Sequence, residues 1–261
     1  MSRVVHLLKT ALLCGGTPGL QRAGRFYRLA GILTFLVLLS ACASAPPAPD
    51  WQVNAFAALN SATTAYLEGN SRVADFELKR AQIEVARTGR PELMARLALV
   101  RCAAQVASLE LGECEAYTAL APDAQPAEQN YAQFLSGHWE QVQADLLPEP
   151  YRDLVRQMRE SGKRTSEPPV QAQANPAPFS RLAPIKDPLA RLIAAGILLR
   201  SEHITPVDIG IAAQTASDQG WRRPLLAWLL VQHQRAASAG DTTAAAGLQR
   251  RIDLVLQNRA R

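Results

Sequence analysis

The chain has 261 residues, of which 48% are hydrophobic and only 6% are aromatic. This apolar fraction is enough to bury a sizeable core, and the abundance of alanine, leucine and arginine favours helices over strands. The formal net charge of +5 raises the question of an anionic partner such as nucleic acid. However, the first 41 residues carry five basic side chains and no acidic one, which leaves 23 of each sign in the rest of the chain. The composition therefore argues against a strongly basic surface on the body of the protein, and we expect no nucleic-acid partner.

The N-terminal region has the charge and hydropathy pattern of an export signal. Arg22, Arg25 and Arg28 precede an apolar run over Leu29–Leu39, and small residues follow that run. The run is too short to span a bilayer, for which a helix needs about 20 apolar residues. A basic segment followed by a short apolar run is instead typical of a secretory signal peptide, here residues 1–41.

The predicted signal ends in a lipidation motif. The residues Leu39-Ser40-Ala41-Cys42 resemble the lipobox of bacterial lipoproteins. The resemblance implies that the chain is cut before Cys42, that the Cys42 thiol carries a diacylglyceryl group, and that the new amino group is acylated. Ala43 stands where the inner-membrane lipoproteins of enteric bacteria have an aspartate, so the resemblance also implies a periplasm-facing anchor in the outer membrane. The residues alone leave open an ordinary secretory signal that ends beside an incidental cysteine.

A short tether, residues 42–50, connects the predicted lipid to the first helix. It is composed mainly of alanine, serine and proline. At about 3.1 Å per residue, eight residues of such a chain reach roughly 25 Å. We therefore expect the folded body to stay close to the membrane that holds Cys42.

Residues 51–161 are predicted to form an N-terminal helical domain. Its first helix covers Trp51–Gly69, where Phe56, Leu59, Ala62 and Tyr66 recur at helical spacing and predict the buried face. Further helices are predicted at Ser71–Arg87, Pro91–Leu109, Glu113–Leu120, Ala127–Ser136, Trp139–Leu146 and Pro150–Ser161.

Residues 162–185 differ in composition from the segments on either side. They contain five prolines among glutamine, alanine, serine and asparagine, which predicts an exposed linker. A C-terminal helical domain, residues 186–261, follows the linker. Asp187-Pro188 and Thr205-Pro206 each place a capping residue before a first-turn proline, and each predicts a helix start. The last two helices are predicted at Arg223–Ala237 and Asp241–Leu256.

The predicted fold is all-α and built of antiparallel helix hairpins, because no stretch alternates apolar and polar residues as strands do. The segments Tyr66–Asn70 and Phe134–His138 share an aromatic-Leu-x-Gly-polar pattern, and their glycines are 68 residues apart. This separation is twice 34, the tetratricopeptide period. The body therefore weakly resembles tetratricopeptide repeats, which implies a solenoid of helix pairs. The alternative is an irregular helical bundle with unrelated glycine turns.

The chain shows no recognisable catalytic motif. His138, His203 and His233 are the histidines that follow the signal, and none has a second ligand residue at the helical spacing of a metal pair. We interpret them as surface or half-buried helix residues. The sequence also lacks a Gly-x-Ser-x-Gly elbow, a His-Glu-x-x-His pair and a Rossmann glycine pattern. We therefore predict no catalytic residue, no cofactor and no metal ligand, and we expect that the protein is not an enzyme.

Two cysteines, Cys102 and Cys114, are predicted to form a disulfide. The export signal places them in an oxidising compartment, and lipidation of Cys42 and removal of Cys14 leave these two as partners. A helix hairpin between them can bring the Cα atoms to within about 4.4–6.8 Å, the range of a disulfide. The spacing leaves open two free buried thiols and a redox-active pair, although the latter lacks the usual Cys-x-x-Cys spacing.

Two functions of different classes are compatible with the sequence. The first is a lipid-anchored, non-catalytic helical scaffold or adaptor that binds a protein or peptide of an envelope complex. Stacked helix pairs suit this role because they form concave surfaces. The second is an envelope enzyme, or an enzyme-activating subunit, that acts on peptidoglycan. The lack of an acid, base or nucleophile with a partner at sensible spacing favours the scaffold.

Overall fold

A computed structural model of the chain describes residues 47–165 and 180–257, with side chains in the first range described up to residue 160. Within these residues the protein is all-α and contains no strand, which confirms the predicted fold class. Its α-helices are α1 (Asp50–Leu67), α2 (Ser71–Ala86), α3 (Pro91–Ala107), α4 (Glu115–Thr118), α5 (Pro126–Leu135), α6 (Glu149–Thr165), α7 (Pro188–Arg200), α8 (Pro206–Asp218), α9 (Arg222–Ser238) and α10 (Thr242–Gln257). None of the described helices is long and apolar enough to cross a membrane. The predicted signal peptide and Cys42 lie outside the described residues.

Local capping signals position the helix starts. The Asp187 carboxylate accepts a hydrogen bond from the Ala190 amide at 2.7 Å and caps α7. Thr205 and Asp208 cap α8 reciprocally, since each side chain accepts a bond from the other residue's backbone amide. The two predicted Pro-containing helix starts are therefore confirmed.

The segment predicted as a helix at Trp139–Leu146 is not an α-helix. It forms turns and a single 3-10 turn at Ala144–Leu146. The buried side chain of Asn130 replaces helical bonding there, because its amide donates to the Gln143 carbonyl at 3.0 Å and accepts from the Gln143 amide at 2.7 Å. Trp139 and Val142 still point into the core, so the apolar pattern is satisfied without a helix.

Helices α1 and α2 form an antiparallel hairpin around Gly69, whose positive φ of 84° permits the tight turn. The two helices contact each other through small side chains; the buried alanines are Ala55, Ala58, Ala62, Ala65, Ala74 and Ala81. This alanine stripe lets the helices approach closely and leaves Val53 and Phe56 on the outward face of α1. Phe56 is therefore 67% exposed, and its predicted place on the buried face is wrong, whereas Ala62 and Tyr66 are buried as expected.

One hydrophobic core joins helices from both predicted domains. Its buried members come from α3, α5 and α6 on one side of the predicted linker and from α7, α8 and α9 on the other. The end of that linker also contributes, because Leu182 and Ile185 are buried in the same core. Among the described residues, the core therefore does not separate into the predicted domains 51–161 and 186–261 but draws on both of them. Residues 166–179 of the predicted linker lie outside the described residues.

Helix α7 occupies the centre of this core, with every residue from Leu192 to Leu198 buried. It crosses α3 at Gly196, where the two backbones come unusually close. A Cβ placed on Gly196 would lie 2.8 Å from Val106 Cγ1 and would also clash with the Val106 carbonyl oxygen. Gly196 is therefore required by helix packing and not by backbone conformation.

The spacing of Gly69 and Gly137 is not that of consecutive helix–turn–helix units. The position one 34-residue period after Gly69 is residue 103, which lies within α3. The Gly137 turn leads into the non-helical segment that follows α5 and not into a second helix of a pair. Within the described ranges α3, α5, α6 and α8 pack on α7, while α1 pairs with α2 and α9 pairs with α10.

The Gly196 contact generates a prediction with a matched control. Gly196→Ala should lower the free energy of unfolding by about 1–3 kcal/mol, because α3 and α7 must separate to admit the methyl group. Gly210 lies within α8 with no atom near a Cβ at that position. Gly210→Ala should therefore raise stability by about 0.5–1 kcal/mol through helix propensity. Urea unfolding followed by far-UV circular dichroism measures both, and equal midpoints for the two variants would contradict the packing argument.

Candidate binding groove

The segment between α3 and α5, residues 108–125, builds one wall of an open groove. It contains only the short helix α4 and a 3-10 turn at Ala121–Asp123. The chain leaves α3 at Leu109, a left-handed residue with φ of 60°, and the next amide, of Glu110, donates to the Gln105 carbonyl at 2.9 Å. This helix end turns the chain back along α3.

Cys102 and Cys114 hold this segment against α3. Their Cα atoms are 5.8 Å apart, and the sulfur atoms lie at disulfide distance, as predicted. Cys102 is buried on α3, whereas Cys114 is half-buried at the residue before α4. The bridge therefore fixes the start of α4 beside the groove.

Arg200, the last residue of α7, connects two edges of the groove. Its guanidinium donates to the Leu135 carbonyl at 2.7 Å at the end of α5. It also donates to the Leu111 carbonyl and, at 3.1 Å, to the Gly112 carbonyl in the segment 108–125. Partial burial lowers the pKa of Arg200. Because the ordinary pKa of an arginine is far above neutral, the side chain remains a cation at neutral pH.

The groove has a volume of about 910 Å³ and lies between α3, the segment 108–125 and α5. Its floor is apolar and is formed by buried side chains, namely Leu99, Cys102, Val106, Tyr117 and Leu135. Its rim is polar and mostly exposed, namely Gln105, Glu110, Glu113, Thr118, Gln129, Gln133, Ser136, His138 and Arg200. An apolar floor with a polar rim suits binding of a ligand that has both apolar and hydrogen-bonding groups.

The charges on the rim are mixed in sign. Glu113 and His138 are exposed, and Arg200 faces the groove from the end of α7. Glu110 forms an ion pair with Arg223 at 3.1 Å, so part of its charge is already compensated. Among the described residues no hydrogen bond joins the His138 ring to a hydroxyl group. The rim therefore offers positively charged hydrogen-bond donors as well as negatively charged acceptors.

The three histidines are exposed or half-buried as predicted, but only His233 lies in a helix. His138 is exposed on the rim, and His233 is half-buried on α9. The His203 ring packs edge-on against Trp139 with ring centroids 5.5 Å apart. In the part of the chain that the structure describes, no three histidine, cysteine or carboxylate side chains are grouped in a way that could hold a metal ion.

A second polar cluster surrounds Tyr66 and fixes the α1–α2 turn to the rest of the body. The Tyr66 ring lies between the guanidinium groups of Arg101 and Arg223, which are 4.5 and 4.2 Å from its centroid. Arg223 also donates to the Tyr66 carbonyl at 2.8 Å and to Ser71 Oγ at 2.7 Å. Burial, reinforced by the Glu110 carboxylate, raises the pKa of Tyr66, so the phenol stays neutral. We interpret this cluster as structural.

The sequence analysis identified the disulfide but not the other groove residues. Arg200 gave a faint signal, because it is a charged residue that directly follows the apolar run Leu192–Leu199. A basic residue in a last helical turn has an ordinary role in capping, and nothing local links it to the carbonyls of residues 111, 112 and 135. Glu110, Gln133 and His138 meet at the groove only because α3 and α5 pack side by side.

Comparisons with known proteins found no match: no family model matches the chain, and neither the curated proteins nor the solved structures include a significant match.

The disulfide is expected to stabilise the groove wall. Replacing Cys102 and Cys114 together with alanine should lower the free energy of unfolding by about 3 kcal/mol, the value for closing a loop of similar length in the unfolded chain. Urea unfolding of the oxidised protein and of the double variant measures the difference. As a direct control, alkylation without reductant followed by mass spectrometry should leave both cysteines unmodified. Two alkylated thiols at these positions would show that the bridge does not form in the mature protein.

Proposed function

We propose that this protein is a non-catalytic adaptor that is anchored through lipid on Cys42 to the periplasmic face of the outer membrane and binds a protein segment of an envelope complex. The groove between α3, the segment 108–125 and α5 is the observation that carries the binding role. The lipobox resemblance of Leu39-Ser40-Ala41-Cys42 carries the anchor. A diacylglyceryl group together with an amide-linked acyl chain supplies more than the two lipid signals that stable anchoring requires.

The dimensions of the groove suit a short stretch of polypeptide. Its volume of about 910 Å³ is near the upper end of the range for ligand-binding clefts. The floor from Leu99 to Leu135 can receive apolar side chains, while the glutamines on the rim can bond to a peptide backbone. An apolar centre bordered by polar groups is the usual anatomy of a protein interface.

The walls of the groove are held in place before any partner arrives. The Cys102–Cys114 bridge fixes one wall to α3, and Arg200 joins that wall to the end of α5. A preformed site loses less conformational entropy when it binds, which favours recognition by a segment that is itself extended or flexible.

Lipidation is tested by substituting the acceptor. Cys42→Ser should remain as the full-length precursor or appear as a soluble species, because neither lipid transfer nor the dedicated cleavage can occur. Fractionation of inner and outer membranes, followed by intact mass measurement, distinguishes these forms from the lipidated wild type. A Cys42→Ser protein that is still processed before residue 42 and still fractionates with the outer membrane would contradict the anchor.

Binding in the groove is tested by site-specific photocrosslinking in intact cells. A benzophenone amino acid at Gln133, an exposed rim residue, should give a discrete adduct of defined mass, while the same group at Gln249 on α10 should not. Gln249 is a suitable control because it is an exposed glutamine far along the chain from the groove.

A second substitution shows whether the Gln133 adduct depends on the groove itself. Thr118 is exposed and lines the groove from α4, so Thr118→Trp should fill the space and abolish the adduct without disturbing the core. Adducts that are identical at Gln133 and Gln249, or that persist in the Thr118→Trp background, would contradict a partner in the groove.

A further inference from the structure

The outward face of α1 is unlike the other long helical surfaces because it carries no charge after the first residue of the helix. Asp50, at the first position, is the only charged residue of this 18-residue helix. By contrast, the paired helix α2 has six charged residues within 16. About a quarter to a third of an ordinary protein surface is charged, so a neutral helix face in water is unusual.

This neutral face also exposes large apolar side chains. Positions 53, 56, 57, 60 and 64 follow the spacing of one helix face, and all of them are exposed. Phe56 is 67% exposed and Val53 is 54% exposed. The opposite face of α1 packs on α2 through alanines, so the body of the protein cannot cover Phe56 without dismantling the hairpin.

The chain joins this face directly to the predicted lipid. Asp50 is eight positions after Cys42, and a fully extended chain spans about 28 Å at most over eight positions. Phe56 lies six residues further along α1, about 9 Å along the helix axis. The exposed apolar residues thus stay within reach of the bilayer surface in every conformation of the tether.

We propose that the outward face of α1 lies against the lipid headgroups of the membrane that holds Cys42. This inference rests on the proposed lipid anchor. A neutral face enters the headgroup region without stripping water from a charge, and Phe56 and Val53 supply the apolar contact. Trp51, half-buried at the start of α1, is the type of residue that concentrates at the headgroup level.

A weak contact of this kind is sufficient because the anchor makes it intramolecular. Two apolar side chains do not hold a free protein on a bilayer. A lipid only eight residues away raises the effective concentration of the bilayer surface to the point where such a contact is occupied. The contact would orient the body on the membrane and so decide which of its surfaces faces the periplasm.

The experiment uses the full lipidated protein in vesicles of phosphatidylethanolamine and phosphatidylglycerol. Phe56→Cys and Leu254→Cys are labelled separately with an environment-sensitive fluorophore. Leu254 is a matched control, because it is 65% exposed and lies on α10 at the other end of the described chain. The Phe56 label should shift its emission to the blue, be quenched by lipids with a shallow doxyl group, and be quenched by aqueous iodide several-fold less than the Leu254 label.

Each other outcome overturns the contact in a distinguishable way. If the protein does not float with the vesicles, both the proposed lipid anchor and the proposed contact of α1 are contradicted. If the protein floats but iodide quenches both labels equally, the proposed contact of α1 is contradicted while the lipid anchor stands. A Phe56 label that is shielded from iodide but insensitive to doxyl lipids assigns the face to a second copy of the chain or another protein. As a further check, Asn60→Glu places a charge on the same face and should return the Phe56 label to water, whereas Asn60→Gln should not.

Discussion

The close crossing of α3 and α7 at Gly196 is the constraint on which the rest of the structure depends. A glycine at this position lets the Val106 backbone approach to a distance that no side chain would allow. Because α7 is buried along nearly its whole length, the helices packed around it take their positions from that crossing. Helix α9 follows the same geometry, since the Trp228 indole donates to the Ala107 carbonyl at the end of α3.

Arginines then attach the irregular segments to this helical framework. Arg200 binds the carbonyls that end α5 and those of the segment 108–125, while Arg223 binds the α1–α2 turn and Glu110. In both cases one guanidinium joins pieces of chain that are far apart in sequence. Arg200 and the Cys102–Cys114 bridge thus fix the wall of the groove, because Arg200 ties the segment 108–125 to the end of α5 and the bridge ties it to α3.

The two surfaces proposed to act in function lie on different elements. The groove is formed by α3, α5 and the segment between them, whereas the neutral face belongs to α1, the helix that follows the tether. In the proposed adaptor, the attachment surface and the recognition surface are therefore on separate helices. The polar cluster around Tyr66 connects α1 to the rest of the body, because Arg101 of α3 and Arg223 of α9 both contact the end of α1.

The sequence alone determined the helical class, most helix boundaries and the Cys102–Cys114 pairing, because these follow from local periodicity, capping residues and short loops. Asp187 and Thr205 show this well, since each cap involves only residues within three positions. Tertiary structure decided what depends on distant neighbours. The alanine stripe of α1, and not Phe56, was buried because close approach to α2 favours small side chains. Asn130 drew residues 139–146 out of a helix through two bonds to Gln143. The core draws on helices from both sides of the predicted linker because α7 is buried on all sides between Leu192 and Leu198, and α3, α5, α6 and α8 pack against it.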